Sequence, residues 1–596
     1  MKLATFSHEN TEKWGFVVLD PLTNEDRIVE PALAEVELAA SASVGTSGYA
    51  ASKPYFLGEA WPATLIEFLE LGEHGMTALS RLTVYLDRFL SQSDATVLDR
   101  ASHALSEVTL LAPIPRPRLC WGLVANSPSF ARNKTGIAHI NLFPLGHQRS
   151  QGSVIASGET ISMKNRHHDP LMSYNVELAV IIGTGGRYIP VESAMDHVAG
   201  YTTINDVAGT YYYGIVPGNE GAGYQLPAPY DDWYYQVTAS WAGKVADGMC
   251  PMGPYLVTKD AVGDPYDLLV YTRQDGRLRN RAHTSAAILG IERVISWYSS
   301  FASLRSGDVI HFGTMGVDGL SVPQAVVERG GTVLEVEIED VGILRNPVHV
   351  VPAGSEVPLA EHSSFAVRQA ATDASILNDR SEWDVDRARH FYTAFGNNNR
   401  AEHSEGMARL AVPRFFTGPA SSLGTASDVE LPPRSTDLVL GIELAVVISR
   451  LAGDVKAANA ESVILGLTPL LSVCDLSFQQ AVIEPARPGE RGIPAVYGRW
   501  ADGFNVVLDQ PAEWRTDWRD RLMAIDVNGE TVTGSTSDYI AGPEELIETI
   551  SAMTTLFPGD VITLGSTTTR ITVPSGRPVQ ATGRIEGIGE VRLSTA

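Results

Sequence analysis

The sequence predicts an α+β protein that is predominantly β: a small N-terminal α+β unit followed by two strand-rich bodies that repeat one another. Three observations carry this. Residues 174–183 and 440–448 are apolar, β-branched runs with one carboxylate near the middle of each, Glu177 and Glu443. Each is followed by a second apolar run that ends on an acid, Asp206 and Asp475. Two later stretches recur in the same order, 307–310 at 559–562 and 338–342 at 585–589. The separations drift from 266 and 269 residues to 252 and 247, as loop-length differences in a duplicated unit would make them.

The elements follow in order. Residues 14–19 read as a strand, and apolar residues recur at helical spacing over 61–71 and 79–89. Pro113, Pro115 and Pro117 then enforce extended backbone, so the N-terminal unit is placed at 1–112. The first body spans 113–347 and carries one amphipathic helix over 286–304. A polar, Ala/Ser-rich linker is expected over 348–385, and the second body over 386–596. Two homologous halves on one chain most simply pack about a pseudo-two-fold axis, an intrachain imitation of a homodimer.

Composition narrows the partners. A formal charge of −25, with 45 basic and 70 acidic residues, is the wrong sign for nucleic acid, and no basic run concentrates positive charge locally. Cys120, Cys250 and Cys474 are odd in number and widely spaced, which excludes a disulfide framework and points to a reducing, cytoplasmic setting. The N-terminus shows no apolar leader, and no run reaches about 18 apolar residues, so no membrane span is expected. The expected partner is a small molecule, met by a monomer or a homodimer of fused halves.

A carboxylate inside an apolar strand must be paired, hydrogen-bonded or bound to a cation, because burying it bare is too costly. On these residues the chain resembles the fumarylacetoacetate hydrolase superfamily. The entry at 110–123, the acid strands of 174–207, the stretch 243–254 around Lys244, and 306–314 ending on Thr314 fall in that family's order. The likeness returns over the second body. It implies a mixed β-sandwich-roll for each body, a Mg²⁺ or Mn²⁺ ion, and enol or enolate chemistry on β-dicarbonyl or 2-oxo acids.

The same resemblance assigns the candidate site. Its metal motif, two glutamates one residue apart and a later aspartate, falls on Asn175, Glu177 and Asp206, and in the second body on Gly441, Glu443 and Asp475. Asn175 removes a charge and Gly441 removes a ligand, so metal binding is expected to weaken in the first body and more so in the second. The family's lysine falls on Lys244 and, in the second body, on Arg499, which stays charged but cannot act as a base. Its histidine-and-acid pair has no match in the first body and falls on His403 and Glu405 in the second. Thr314 and Tyr212, the latter in an aromatic run continued by 233–235, are read as substrate contacts. His167 and His168 are read as solvated, and Cys250 and Cys474 as small hydrophobes. The reactions in play are C–C hydrolysis, decarboxylation or isomerisation, with no organic cofactor. The alternatives are a metal-independent cyclase or isomerase of specialised metabolism, and a pseudoenzyme scaffold, at least for the second body.

Overall fold

The computed structural model describes residues 1–20, 22–44, 56–92, 96–124, 126–128, 144–164, 171–209, 243–316, 320–351, 376–394, 398–400, 415–425, 427–481 and 496–595. In the N-terminal unit, strands Lys2–His8 and Thr11–Leu19 form a hairpin beside Asp26–Val29. Helix Leu65–Glu70 starts at Thr64 and Glu67, each side chain satisfying the other's backbone N–H. Helix Gly72–Gln92 buries Leu79, Leu82 and Leu86, spaced three and four apart on one face. Strand Lys2–His8 also pairs with Cys250–Thr258, so the N-terminal strands extend the first body's own sheet.

That sheet has 12 strands and runs onward through Val198–Asn205, Val176–Ile182, Val309–His311 and Cys120–Leu123 to Gly146–Gln148. A second sheet of five strands includes Leu269–Gln274, Thr332–Ile338 and Gly342–Val351. Because side chains alternate along a strand, Val176–Ile182 is apolar on both faces for two reasons. Val176, Leu178, Val180 and Ile182 join the sandwich core with Val270, Val336 and Leu344. Ala179 and Ile181 meet Leu65 and Phe68 of the N-terminal unit. The predicted helix of 286–304 is a helix over Ile291–Ser299.

The second body repeats this with sheets of eight and five strands and a helix at Pro543–Ser551. Among the described residues no counterpart of the N-terminal unit precedes it; Ala445 and Val447 pack instead with Leu377, Trp383 and Phe391. The two acid strands share one register. Glu177 lies opposite Ile204, Glu443 lies opposite Leu470, and both ladders shift at the last pair, between Ile181 and Ile182 and between Val447 and Ile448.

The halves meet through reciprocal contacts. Ser303 N and Oγ donate to Asp502 at 2.9 and 2.5 Å, and Thr555 N and Oγ1 donate to Asp247 at 3.0 Å. Asp502 N donates to the Phe301 carbonyl at 3.3 Å, and Asp247 N to that of Met553 at 3.2 Å. Each half gives the other the same carboxylate-and-amide clasp, which is how a two-fold interface is built. Among the described residues no helix is long and apolar enough to cross a membrane.

Candidate active site

In the first body the two acids sit at one end of the central strands and are held differently. Glu177, 1% exposed, accepts from His311 Nδ1 at 2.5 Å, from Gly313 N at 2.9 Å and from Thr314 Oγ1 at 3.3 Å. Burial, reinforced by the charge of Asp206, still pushes its carboxyl up, against the pull of His311 and Lys244. His311 fits because its parallel-strand neighbour is Gly122; a Cβ there would lie 1.9 Å from the ring.

Asp206 follows directly on strand Val198–Asn205, and its N–H donates to the Asn175 carbonyl at 2.8 Å. Its carboxylate takes short contacts from both Lys244 Nζ and Arg149 Nη2. Burial alone would raise this carboxyl, but the two cations hold it well below the usual carboxylate range. Burial lowers the Lys244 ammonium, while Asp206 pulls it back up. Arg149 also donates to the carbonyls of Val207, Lys244 and Met249 at 3.1, 2.8 and 2.8 Å, which ties the Asp206 and Lys244 segments together. His147, two residues before Arg149, lies with Nε2 3.6 Å from Asp206 Oδ1, and burial pushes it down to about 3, so its ring is neutral. Its ring stands edge-on to that of His311, centroids 5.5 Å apart.

The resemblance implies a divalent ion, and the donors here can be tested against it. Buried atoms without a hydrogen-bond partner cluster at this point: both nitrogens of His147, His311 Nε2 and Asn175 Oδ1. One donor atom each from His147, Asp206 and His311 lies within 4.8 Å of the others. These residues fit a cation. The set differs from the expected Asn175, Glu177 and Asp206, because Glu177 accepts three hydrogen bonds and stands behind His311.

Among the described residues the second body lacks this arrangement. Glu443 accepts from Arg499 Nη2 at 3.1 Å, with Arg499 Nη1 3.0 Å from its other oxygen, and from Thr563 Oγ1 and Ser472 Oγ at 2.6 and 3.1 Å. Arg499 does stand at the place of Lys244: each lies six residues before the residue that opens the parallel pair, Cys250 with Val154 and Asn505 with Leu423. Asp475 does not stand at the place of Asp206. Asp206 abuts Asn175, and the partner of Gly441 is Ser472. Asp475 pairs with Leu438, five residues from Glu443, or about 17 Å along the strand. Its carboxylate takes Ser435 Oγ at 2.6 Å and the N–H groups of Thr436 and Ser477 at 3.2 and 2.8 Å. The ladders also place Phe416 at the position of His147 and Thr563 at that of His311.

Lys244, Glu177, Asp206 and Thr314 therefore converge in the first body, with Asn175 beside them, while Glu443 and Arg499 pair off in the second and Asp475 stands apart. Tyr212, His403, Glu405, His167, His168 and the aromatic run 233–235 lie outside the described residues. His147, Arg149 and His311 were not foreseen. A lone histidine in a strand carries no periodic signal, and only Gly122 opposite His311 hints at a ring needing room.

Residues 120–349 and 391–594 each match the family model described as Fumarylacetoacetate (FAA) hydrolase C-terminal. This chain belongs to the fumarylacetoacetate hydrolase family. Oxaloacetate tautomerase FAHD2B, mitochondrial, of Bos taurus is 31% identical over 290 residues, covering 48% of this chain and 80% of its own. The oxaloacetate tautomerase YisK of Bacillus subtilis (strain 168) is 30% identical over 304 residues, covering 50% and 90%. Among solved structures, a maleylpyruvate hydrolase from Sphingobium sp. SYK-6 in complex with manganese(II) ion and pyruvate aligns with a TM-score of 0.38 and 21% identity, over 59% of this chain and 99% of that one. A 5-carboxymethyl-2-hydroxymuconate delta-isomerase from Mycobacterium smegmatis aligns with a TM-score of 0.37 and 20% identity, over 59% and 100%. The two matched stretches make this chain a tandem fusion of two family domains, and it is an enzyme of that family.

Proposed function

We propose that the first body catalyses keto–enol tautomerisation of a small 2-oxo dicarboxylic acid of the oxaloacetate kind through an enolate, and that the second body serves as its structural half. The observation that carries this is the convergence of Lys244, Arg149 and the open ring nitrogens of His147 and His311 on Asp206, set against Glu443 closed off by Arg499. Tautomerisation moves one proton between carbon and oxygen and needs no activated water. That suits a body whose sequence shows no histidine-and-acid pair after strand Cys120–Leu123. The named activities of the two relatives favour the same reaction.

The residues divide the work. Lys244, with its ammonium destabilised by burial and steadied by Asp206, exchanges the proton and faces the enolate oxygen with positive charge. Arg149 acts as a positioning residue, because its two terminal nitrogens are taken by Asp206 and three carbonyls. A divalent ion held by His147, Asp206 and His311 would supply Lewis-acid polarisation of the 2-oxo carboxylate. Three cysteines, odd in number and widely spaced in the sequence, suit a reducing compartment, and we place the protein in the cytoplasm.

The test follows loss of the ultraviolet enol band of oxaloacetate, with pyruvate release measured in parallel to detect decarboxylation. Wild-type protein accelerates enol loss without releasing pyruvate, and Lys244→Met slows it by about 10²- to 10⁴-fold. No acceleration by the wild type, or an unchanged rate in Lys244→Met, removes the proposal.

A further inference from the structure

We infer that the first body holds its ion through nitrogen: His147, His311 and Asp206 form the metal site, and the site takes a borderline transition ion such as Zn²⁺ or Co²⁺ in preference to Mg²⁺. This rests on the reading that the first body is the working half, and it goes beyond that reading in naming the ligands and the class of ion.

Three features of the chain support it. First, the histidine donors are open, and Asp206, whose oxygens take Arg149 and Lys244, keeps a further lone pair on each. Glu177 accepts from His311 Nδ1 at 2.5 Å, which leaves His311 Nε2 as the atom facing inward, and that atom has no partner. A carboxylate behind a histidine is the usual support of a histidine metal ligand, fixing its tautomer and orientation. Glu177 thus acts one step behind the ion, and the histidine takes the ligand's place. Second, His147 is 2% exposed with neither ring nitrogen hydrogen-bonded, yet Nε2 stands 3.6 Å from Asp206 Oδ1. Leaving such atoms buried and unpaired is costly unless something electron-poor lies between them. The three donor atoms fall within 4.8 Å of one another, so an ion with bonds of about 2.1 Å would draw them together by about 1 Å. Third, the second body has Phe416, Thr563 and Ser472 at these three places and keeps only the glutamate, so the histidines and the aspartate are absent together.

Donor chemistry sets the selectivity. Mg²⁺ demands near-octahedral oxygen and parts with water reluctantly, whereas imidazole suits Zn²⁺, Co²⁺ and their neighbours. Charge sets the linkage. Glu177 and Asp206 are balanced by Lys244 and Arg149, so an ion brings two uncompensated charges into a buried place. A dianion entering with it restores neutrality, so ion and dianion each strengthen the other's binding by the same factor.

The full chain, stripped with chelator, is titrated with Co²⁺ and with Mg²⁺, each with and without oxalate, by calorimetry and by visible Co²⁺ absorption. One Co²⁺ binds per chain, tighter than Mg²⁺ by about 100-fold or more, and oxalate tightens it. His147→Phe, which installs the residue the second body carries, and His311→Gln each weaken Co²⁺ by at least about tenfold, and Glu177→Gln by about 10- to 100-fold. Unfolding midpoints near wild type show that the variants fold. Mg²⁺ equalling Co²⁺, Co²⁺ binding unchanged in both histidine variants, or no Co²⁺ bound even with oxalate overturns the site. A chain that binds Co²⁺ as described but does not tautomerise oxaloacetate removes only the proposed reaction.

Discussion

The Glu443–Arg499 pair gives the sharpest test of the second body's role. Glu443 is fully buried and Arg499 is 7% exposed, and the guanidinium reaches both carboxylate oxygens at 3.0 and 3.1 Å. Arg499→Met leaves a buried carboxylate with only the hydroxyls of Ser472 and Thr563, which costs about 3–5 kcal/mol of stability. Removing both charges behaves differently. In Glu443→Leu/Arg499→Met no charge is left stranded, so the double variant recovers the whole loss, ending between about neutral and a few kcal/mol more stable than wild type. Urea unfolding of the full chain, followed by tryptophan fluorescence, gives the stability of each member of the cycle, and the enol-loss assay on the same samples gives turnover. A structural pair predicts a double variant that is folded and fully active. An Arg499→Met variant as stable as wild type refutes the energetic argument, and a folded double variant with collapsed turnover refutes the structural role.

Gly122→Ala would set a Cβ 1.9 Å from the His311 ring. It should cost about 1–3 kcal/mol through overpacking and reduce turnover by displacing His311 from Glu177, both read on purified protein. Asp247→Ala and Asp502→Ala each remove one arm of the reciprocal clasp between the halves. Urea midpoints should show similar losses for the two, about 1–3 kcal/mol each, and a loss confined to one of them would argue against two-fold equivalence. Burial pushes the Cys474 thiol up to about 11, so near pH 8 only about one molecule in a thousand carries the thiolate. Disulfide-exchange reagents should label Cys474 about 100-fold more slowly than an exposed thiol at that pH and at the ordinary rate after unfolding.

Much of the architecture was legible because it rests on patterns that survive in one dimension. Glu177 and Glu443 stand out as charges in apolar runs, and the recurring anchors disclose the duplication. Lys244 and Arg499 share a place that the parallel pairs at Cys250 and Asn505 reproduce. Asp475 misled for a physical reason. Matching by charge selects the nearest acid, but equivalence in a sheet is fixed by the hydrogen-bond ladder, and that ladder gives Ser472 the place beside Gly441. His147 lies on, and Arg149 just after, a strand that follows a 22-residue connection (124–145), so no local spacing links them to Asp206. His311 sat inside a recognised motif whose glycine and threonine drew attention instead. The N-terminal unit's strands, separable by composition, continue the first body's sheet through Leu3 and Leu256, a long-range pairing that no local window records.

The most direct measurement is the number of oxalate molecules bound per chain, a planar mimic of a 2-oxo acid enolate, read by calorimetry on wild type, Lys244→Met and Glu443→Leu/Arg499→Met. One site per chain, abolished in Lys244→Met and intact in the double variant, is the predicted result. Two sites per chain, or a single site lost with the Glu443–Arg499 pair, would contradict it.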